Sequence, residues 1–187
     1  MKEIAAHVFF LPGANHPLSS NAYVLESQKA LALIDSGARV DVLEKASQEL
    51  GKPVERVFFT HGHFDHVHAA LKGKIPGQMH ARDLDVLHEL NAEWVNLKKP
   101  DFFTPLSDKV AWDRFSLDVM HTPGHTPGSV CFLYQDILFS GDTKFAGGGV
   151  GRTDFWGGNA MDLEKSLEKI GQLKYRLLAP GHGALQC

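Results

Sequence analysis

Short apolar runs alternate along the chain with stretches in which apolar residues recur every three or four positions. Four apolar runs in the first third of the chain predict strands over 6–11, 22–25, 30–34 and 54–60. The polar and glycine-bearing segment 12–15 predicts a turn after the first of them. Between Val40 and Leu50 the apolar spacing is helical, and Gly51 stands where a helix C-cap glycine is expected.

The rest of the chain repeats this alternation. Helical spacing predicts helices over 81–97 and 159–173, and the segment 100–105 is expected to be a loop. Apolar runs predict strands over 115–120, 130–134, 136–139 and 177–179. Runs of strands separated by helices predict a mixed α/β fold.

Composition and charge narrow the class of protein. Of 187 residues, 43% are hydrophobic and 22% are charged, which is typical of a globular protein with a sizeable core. The net charge of −3 does not favour a nucleic-acid partner, and no apolar run approaches the ~20 residues of a membrane span. The N-terminus does not resemble a signal peptide. With only two cysteines, Cys131 and Cys187, we expect a protein of the reducing cytoplasm.

Four side chains that can bind a metal lie within six residues after one predicted strand. The strand over 54–60 runs directly into His61, His63, Asp65 and His66. His61 and His63 alternate, so an extended backbone places both on one side, whereas Asp65 and His66 fall at the start of a helix. Imidazole and carboxylate groups suit zinc, iron or manganese. The spacing therefore predicts two adjacent metal positions.

Three later strands end in glycine-bearing turns that carry the same types of side chain. His125 follows the strand that ends at 120, Asp142 follows the strand that ends at 139, and His182 follows the last predicted strand. In open α/β folds, ligands collect outside the strand ends. We expect these three side chains to converge on the site of the first four.

The order and context of these seven side chains resemble the metallo-β-lactamase superfamily: His61, His63, Asp65, His66, His125, Asp142 and His182. The segment Asp35-Ser36-Gly37 is similar to an early turn of the same family. The resemblance implies an αββα sandwich, in which two mixed sheets are packed between helices. It implies a single domain over residues 1–187.

Within the superfamily, the chain most resembles compact glyoxalase II-like proteins. The loop over 147–155, which contains Gly-Arg-Thr-Asp-Phe, is similar in those proteins and in persulfide dioxygenases. Full-length glyoxalase II continues into a helical domain that supplies glutathione-binding residues. Because this chain stops five residues after His182, we expect no C-terminal helical substrate domain.

The resemblance implies a binuclear hydrolase. The first metal is assigned to His61, His63 and His125, the second to Asp65, His66 and His182, and the bridging position to Asp142. We expect two divalent ions, zinc first with iron or manganese as alternatives, that activate a water for attack on a thioester or ester carbonyl, as in S-lactoylglutathione. Asp65 and Asp142 are the expected catalytic carboxylates.

More than one interpretation remains open for several residues and for the function. Arg152 either contacts a substrate carboxylate or forms an ion pair with Asp154, and Lys144 is a second candidate for substrate binding. Asp35 either orients a ligand histidine or only shapes a turn. The alternative functions are a lactonase of the same fold and a persulfide dioxygenase, in which one iron is held by His61, His125 and Asp142.

Overall fold

Two β-sheets pack face to face in the computed structural model, which describes residues 1–13, 19–93 and 95–187. The first sheet has seven strands in chain order: β1 Lys2–Ala5, β2 Val8–Leu11, β3 Ala22–Glu26, β4 Leu31–Ile34, β5 Val54–Phe58, β6 Gly77–Met79 and β7 Phe103–Pro105. The strands β1 to β4 pair antiparallel, and β4 to β7 pair parallel. The sheet is therefore mixed.

The second sheet has five strands in the order β12-β11-β10-β9-β8: β8 Lys109–Trp112, β9 Phe115–His121, β10 Val130–Tyr134, β11 Ile137–Gly141 and β12 Leu177–Pro180. Only β11 and β12 pair parallel within it. Both sheets are thus mixed, as the resemblance implies.

Helices cover the outer face of each sheet. The helices that pack on the first sheet are α1 Asp41–Leu50, α2 Phe64–Gly73, α3 Ala81–Asp85 and α4 Leu87–Asn91. Helix α5, Ala160–Gly171, packs on the second sheet, and a 3-10 turn over Ala146–Gly148 precedes it. Among the described residues, no helix has the length and apolar character needed to cross a membrane.

Strands buried on both faces hold the layers together. In β4, Ala32 and Ile34 point into the core between the sheets, whereas Leu31 and Leu33 point toward the helices. In β11, Phe139 joins the core between the sheets and Leu138 packs toward α5. Because both faces are covered, these strands are continuous apolar runs rather than alternating ones. The predicted α/β sandwich is confirmed.

The structure corrects three predicted elements. The segment 6–11 is one predicted strand but belongs to a hairpin, because His7 adopts a positive φ of 63° between β1 and β2. The predicted helix over 81–97 is two short helices that end at Asn91, and the predicted loop over 100–105 contains β7. Backbone pairing with β6 makes β7 a strand, and such pairing has no local signal. The predicted turn over 12–15 lies partly outside the described residues.

The loops at one edge of the sandwich bring the two sheets together. Thr60, after β5, accepts a backbone hydrogen bond from Val130 of β10 at 2.8 Å. Gly181, after β12, accepts one from Asn21 at 2.7 Å and donates one to Gly141 at 2.8 Å. The segments that carry the predicted ligands are therefore fixed against one another across the sheets.

Candidate metal centre

Three buried histidines from both sheets converge on one point. The distance from His61 Nε2 to His63 Nδ1 is 3.1 Å, and the distance from His63 Nδ1 to His125 Nε2 is 2.9 Å. Zinc binds imidazole nitrogen at about 2.0–2.1 Å, so two ligands of one ion lie at most about 4.2 Å apart. Both distances satisfy that limit, and the three nitrogens, all within 4.8 Å of one another, can hold one metal ion.

A second group lies beside the first. Helix α2 begins at Phe64, so Asp65 and His66 stand in its first turn. Asp65 Oδ2 lies 3.0 Å from His182 Nε2, and His66 Nε2 lies 3.4 Å from the same atom. Asp65, His66 and His182 can hold a second ion.

Asp142, at the end of β11, stands between the two groups. Its Oδ1 lies 3.4 Å from His66 Nε2, and its Oδ2 lies 3.6 Å from His125 Nε2 and 3.4 Å from His182 Nε2. The Oδ1 atom is buried and receives no hydrogen bond from any residue that the structure describes. A buried carboxylate oxygen without a donor is costly, and a bound cation would compensate it. Asp142 therefore fits a metal in both position and chemistry.

Hydrogen bonds to the outer ring nitrogens orient the histidines. His66 Nδ1 lies 2.8 Å from Asp35 Oδ2, and His125 Nδ1 lies 2.7 Å from the carbonyl oxygen of Arg152. Both partners are acceptors, so each Nδ1 carries the proton and each Nε2 is free to bind a metal. Asp35 also accepts hydrogen bonds from the backbone nitrogen and hydroxyl of Thr60, each at 2.8 Å. Asp35 shapes the turn, with φ 56°, and also orients a ligand histidine.

The two groups of histidines have opposite electrostatic environments. Burial lowers the pKa of His61 well below its usual value and the pKa of His63 to about 3. Burial also disfavours the charged form of His66 and His182, but nearby carboxylates outweigh it. Asp35, Asp65 and Asp142 raise the pKa of His66 well above its usual value, and hydrogen bonds to Asp142 and Asp65 raise the pKa of His182 to about 9. The second group thus stabilises positive charge.

The pKa values of the two carboxylates, Asp142 and Asp65, are lowered by the same histidines. Burial would raise the pKa of Asp142, but the positive charge of His66 and the contact with His182 hold it well below its usual range. Burial also opposes ionisation of Asp65, yet His66 and His182 lower its pKa. Both groups are therefore carboxylates at neutral pH, as metal ligands must be.

A cavity of about 450 Å³ opens over these side chains. His63, Asp65, His125, Asp142 and His182 line its inner part. The remaining lining residues are Phe64, Asn91, Val95, Phe145, Val150, Gly151, Arg152 and Phe155. A largely apolar wall around a few polar groups is typical of small-molecule sites.

Only one of the two predicted substrate-binding residues lies at this cavity. Arg152 lines it, but its guanidinium donates to both carboxylate oxygens of Asp154, at 2.8 and 2.6 Å, and lies 4.2 Å from the Phe155 ring centroid. Lys144 is directed elsewhere, because its ammonium group donates to the hydroxyl of Tyr175 at 3.2 Å in a separate cavity. The structure therefore does not bring Lys144 to the metal ligands.

Sequence reasoning missed two buried side chains that hold the histidine loops. Asp83 and Asn91, from α3 and α4, contact the backbone of Gly62 through hydrogen bonds of 2.8 Å each. A signal was available in the helical spacing, because Asp83 falls on the same face as the apolar residues Leu87 and Leu90. A carboxylate on an apolar face is rare unless it has a partner.

Comparison with known proteins agrees with the fold and the site. The family model of the metallo-β-lactamase superfamily matches residues 16–182. The probable metallo-hydrolase YqgX of Bacillus subtilis is 32% identical over 183 residues, covering 89% of this chain and 86% of YqgX. Hydroxyacylglutathione hydrolase GloC of Haemophilus influenzae is 32% identical over 179 residues, covering 86% of this chain and 84% of GloC.

A solved structure gives the same result. The crystal structure of TTHA1623 in a di-iron-bound form has a TM-score of 0.76 and 32% identity, and the match covers 94% of this chain and 93% of that one. The family model alone spans more than half of the chain, and the fold and site geometry agree with it. The chain therefore belongs to the metallo-β-lactamase superfamily, as one of its metal-dependent hydrolases.

Proposed function

We propose that this protein is a binuclear metallo-hydrolase that cleaves a thioester or ester carbonyl in a glyoxalase II-like reaction, with S-lactoylglutathione as the type substrate. The observation that carries the proposal is the pair of ligand groups with Asp142 between them, one of whose buried oxygens receives no hydrogen bond from the described residues. The name of GloC supports this substrate class.

The first position is assigned to His61, His63 and His125, the second to Asp65, His66 and His182, and Asp142 to both. Zinc is the first choice, and iron is supported by the di-iron form of TTHA1623, with manganese as a further alternative. Two divalent ions, when bound, would lower the pKa of water toward neutrality and polarise a carbonyl oxygen.

The protein's own groups orient the reactants. Asp65 is ionised at neutral pH and lines the cavity, so it can accept a hydrogen bond from an attacking water. Phe64, Phe145 and Phe155 give the cavity an apolar wall for the rest of the substrate. A thiolate leaves with little need for protonation, which is why a thioester suits a cavity without a free general acid.

Arg152 is proposed to contact a substrate carboxylate at the mouth of the cavity. It is the only lysine or arginine among the described lining residues, and Asp154 already occupies its guanidinium. A substrate carboxylate must therefore share or replace Asp154.

The proposal includes a cytoplasmic location and a small-molecule partner. Both cysteines are free thiols, Cys131 buried and Cys187 exposed, as expected in a reducing compartment.

Metal content and thioester hydrolysis test the proposal together. We expect about two metal ions per chain and release of free thiol from S-lactoylglutathione. One iron per chain, no thiol release, and oxygen uptake with glutathione persulfide would instead support the dioxygenase. Turnover confined to lactones would support the lactonase.

A further inference from the structure

The loops that carry the first three histidines meet on one buried carboxylate. Asp83 is fully buried in the middle of the short helix α3. Its Oδ2 accepts a hydrogen bond from the backbone nitrogen of Gly62 at 2.8 Å and one from the hydroxyl of Thr126 at 2.7 Å. Its Oδ1 accepts one from the backbone nitrogen of Gly128 at 2.5 Å.

These contacts lie next to all three histidines of the first position. Gly62 stands between His61 and His63, and Thr126 follows His125 directly. The other polar group of Gly62, its carbonyl oxygen, accepts a hydrogen bond from Asn91 at 2.8 Å. The backbone between His61 and His63 is thus held on both sides by side chains of the α3–α4 segment.

Glycine at two of these positions permits the close approach. A Cβ atom added at Gly128 would lie 2.6 Å from both the backbone nitrogen and Oδ1 of Asp83. A Cβ atom added at Gly62 would lie 2.8 Å from Leu90 and 3.4 Å from the Cβ of Asp83. The backbone nitrogens of Gly62 and Gly128 reach the Asp83 carboxylate because neither residue has a side chain that would hold it away.

The second position has a separate support. Asp35 contacts His66 directly, and it also holds the hydroxyl of Thr60, which lies 3.1 Å from His61 Nδ1. The hydrogen bonds of the Asp83 carboxylate described above reach only the loops of His61, His63 and His125. Asp83 therefore supports the first position, whereas Asp35 supports the second directly and reaches the first through Thr60.

We propose that Asp83 is a positioning residue that sets the metal affinity of the His61, His63 and His125 position and leaves that of the Asp65, His66 and His182 position largely unchanged. The inference rests on the proposed metal assignment. Loss of an outer partner of a metal site typically costs about 10–100-fold in metal affinity. Asparagine at position 83 would turn an N–H group toward one of the backbone donors, so it cannot replace the carboxylate.

The test is titration of the metal-free protein with Zn²⁺ against a chelator, and with Co²⁺ followed by visible absorption. We expect Asp83→Asn to bind one ion as the wild type does and the other at least about tenfold more weakly. Asp35→Asn should weaken the second position more than the first, because Asp35 contacts His66 directly and His61 only through Thr60. His125→Ala and His182→Ala provide the Co²⁺ spectra of proteins that lack the first or the second position.

Asp85→Asn is the matched control, because Asp85 lies on the same helix but is exposed and paired with Lys99. Should Asp83→Asn fail to fold, Thr126→Val removes one donor and is expected to weaken the same position to a smaller degree. The inference would be overturned if Asp83→Asn weakened both positions equally, or weakened neither, while the wild type still bound two ions. A wild type that bound no ion would overturn the proposed function as well.

Discussion

At the scale of single residues, the site depends on carboxylates that are buried for different reasons. Asp142 faces both histidine groups, Asp35 orients His66, and Asp83 holds backbone. Asp65 is half-buried and, like Asp142, lines the cavity. Substitution of each of these residues should therefore impair a different property of the site.

Replacement of Asp142 tests the bridging assignment. We expect Asp142→Ala to lose about one metal ion per chain and to lower kcat/KM by at least about 100-fold, since it removes the group that both positions share. Metal analysis and thiol release measure the two effects. Asp118→Ala is the control, since Asp118 is exposed and contacts Lys109 instead of a ligand or the cavity. Unchanged metal content and activity in Asp142→Ala would contradict the bridging role.

The pH dependence of stability tests the burial of Asp83. Burial raises its pKa to about 6, although hydrogen bonds from Thr126, Gly62 and Gly128 oppose the rise. An unfolded aspartate has a pKa near 3.9, so between about pH 4 and pH 6 the folded chain binds the proton of Asp83 more tightly than the unfolded chain does. Stability from this group is therefore present at low pH and is lost as pH rises through that window.

In the metal-free protein, the wild type should lose up to about 3 kcal/mol of unfolding free energy relative to Asp83→Asn between about pH 4 and pH 7. Urea unfolding of both proteins at several pH values measures this difference. Because both proteins contain the same histidines, the contribution of histidine titration to the unfolding free energy cancels in the comparison. A difference that stays flat with pH would show that Asp83 has an ordinary pKa. The exposed Asp85 provides the control, since Asp85→Asn should give a flat difference.

At the scale of elements, the sequence predicted best where local pattern and tertiary environment agree. β5 and the start of α2 were predictable because a buried strand runs directly into a polar motif and then into helical spacing. β6 and β7 have three residues each and become strands through pairing, β6 with both β5 and β7, and β7 with β6. The helix predicted over 81–97 ends early, and the hydrogen bonds of Asp83 and Asn91 to Gly62 are long-range contacts that no periodicity reveals.

The pairing of β6 can be tested by filling its space. A Cβ atom at Gly77 would overlap the Phe59 ring and lie 2.8 Å from the Phe103 ring, which belongs to β7. We expect Gly77→Ala to lower the free energy of unfolding by about 1–3 kcal/mol in urea titration.

Gly171, at the end of α5, is the matched control for Gly77. An added Cβ there meets nothing within 4 Å, so Gly171→Ala should raise stability by about 0.5–1 kcal/mol through better helix propensity. Equal effects of the two substitutions would show that the space around β6 is not filled as described.

At the scale of the whole molecule, the proposed metal centre joins the two sheets. Four of the assigned ligands follow β5 of the first sheet, and His125, Asp142 and His182 come from loops or strand ends of the second. Backbone hydrogen bonds such as Thr60 to Val130 connect the same edges. Metal binding should therefore stabilise the association of the sheets as well as the reaction.

Metal removal tests this coupling. An ion present at 100 times its dissociation constant adds about 2.7 kcal/mol to folding, and 1 kcal/mol shifts Tm by about 2–4 °C in a protein of this size. With two ions bound, we expect removal of metal from the wild type to lower Tm by about 10–20 °C, and metal return to restore it. In Asp142→Ala the shift should be smaller, because one position is lost. A Tm that does not change after verified metal removal would mean that the unfolded chain binds the metal as tightly as the folded one, which would contradict a site that is assembled only when the two sheets come together.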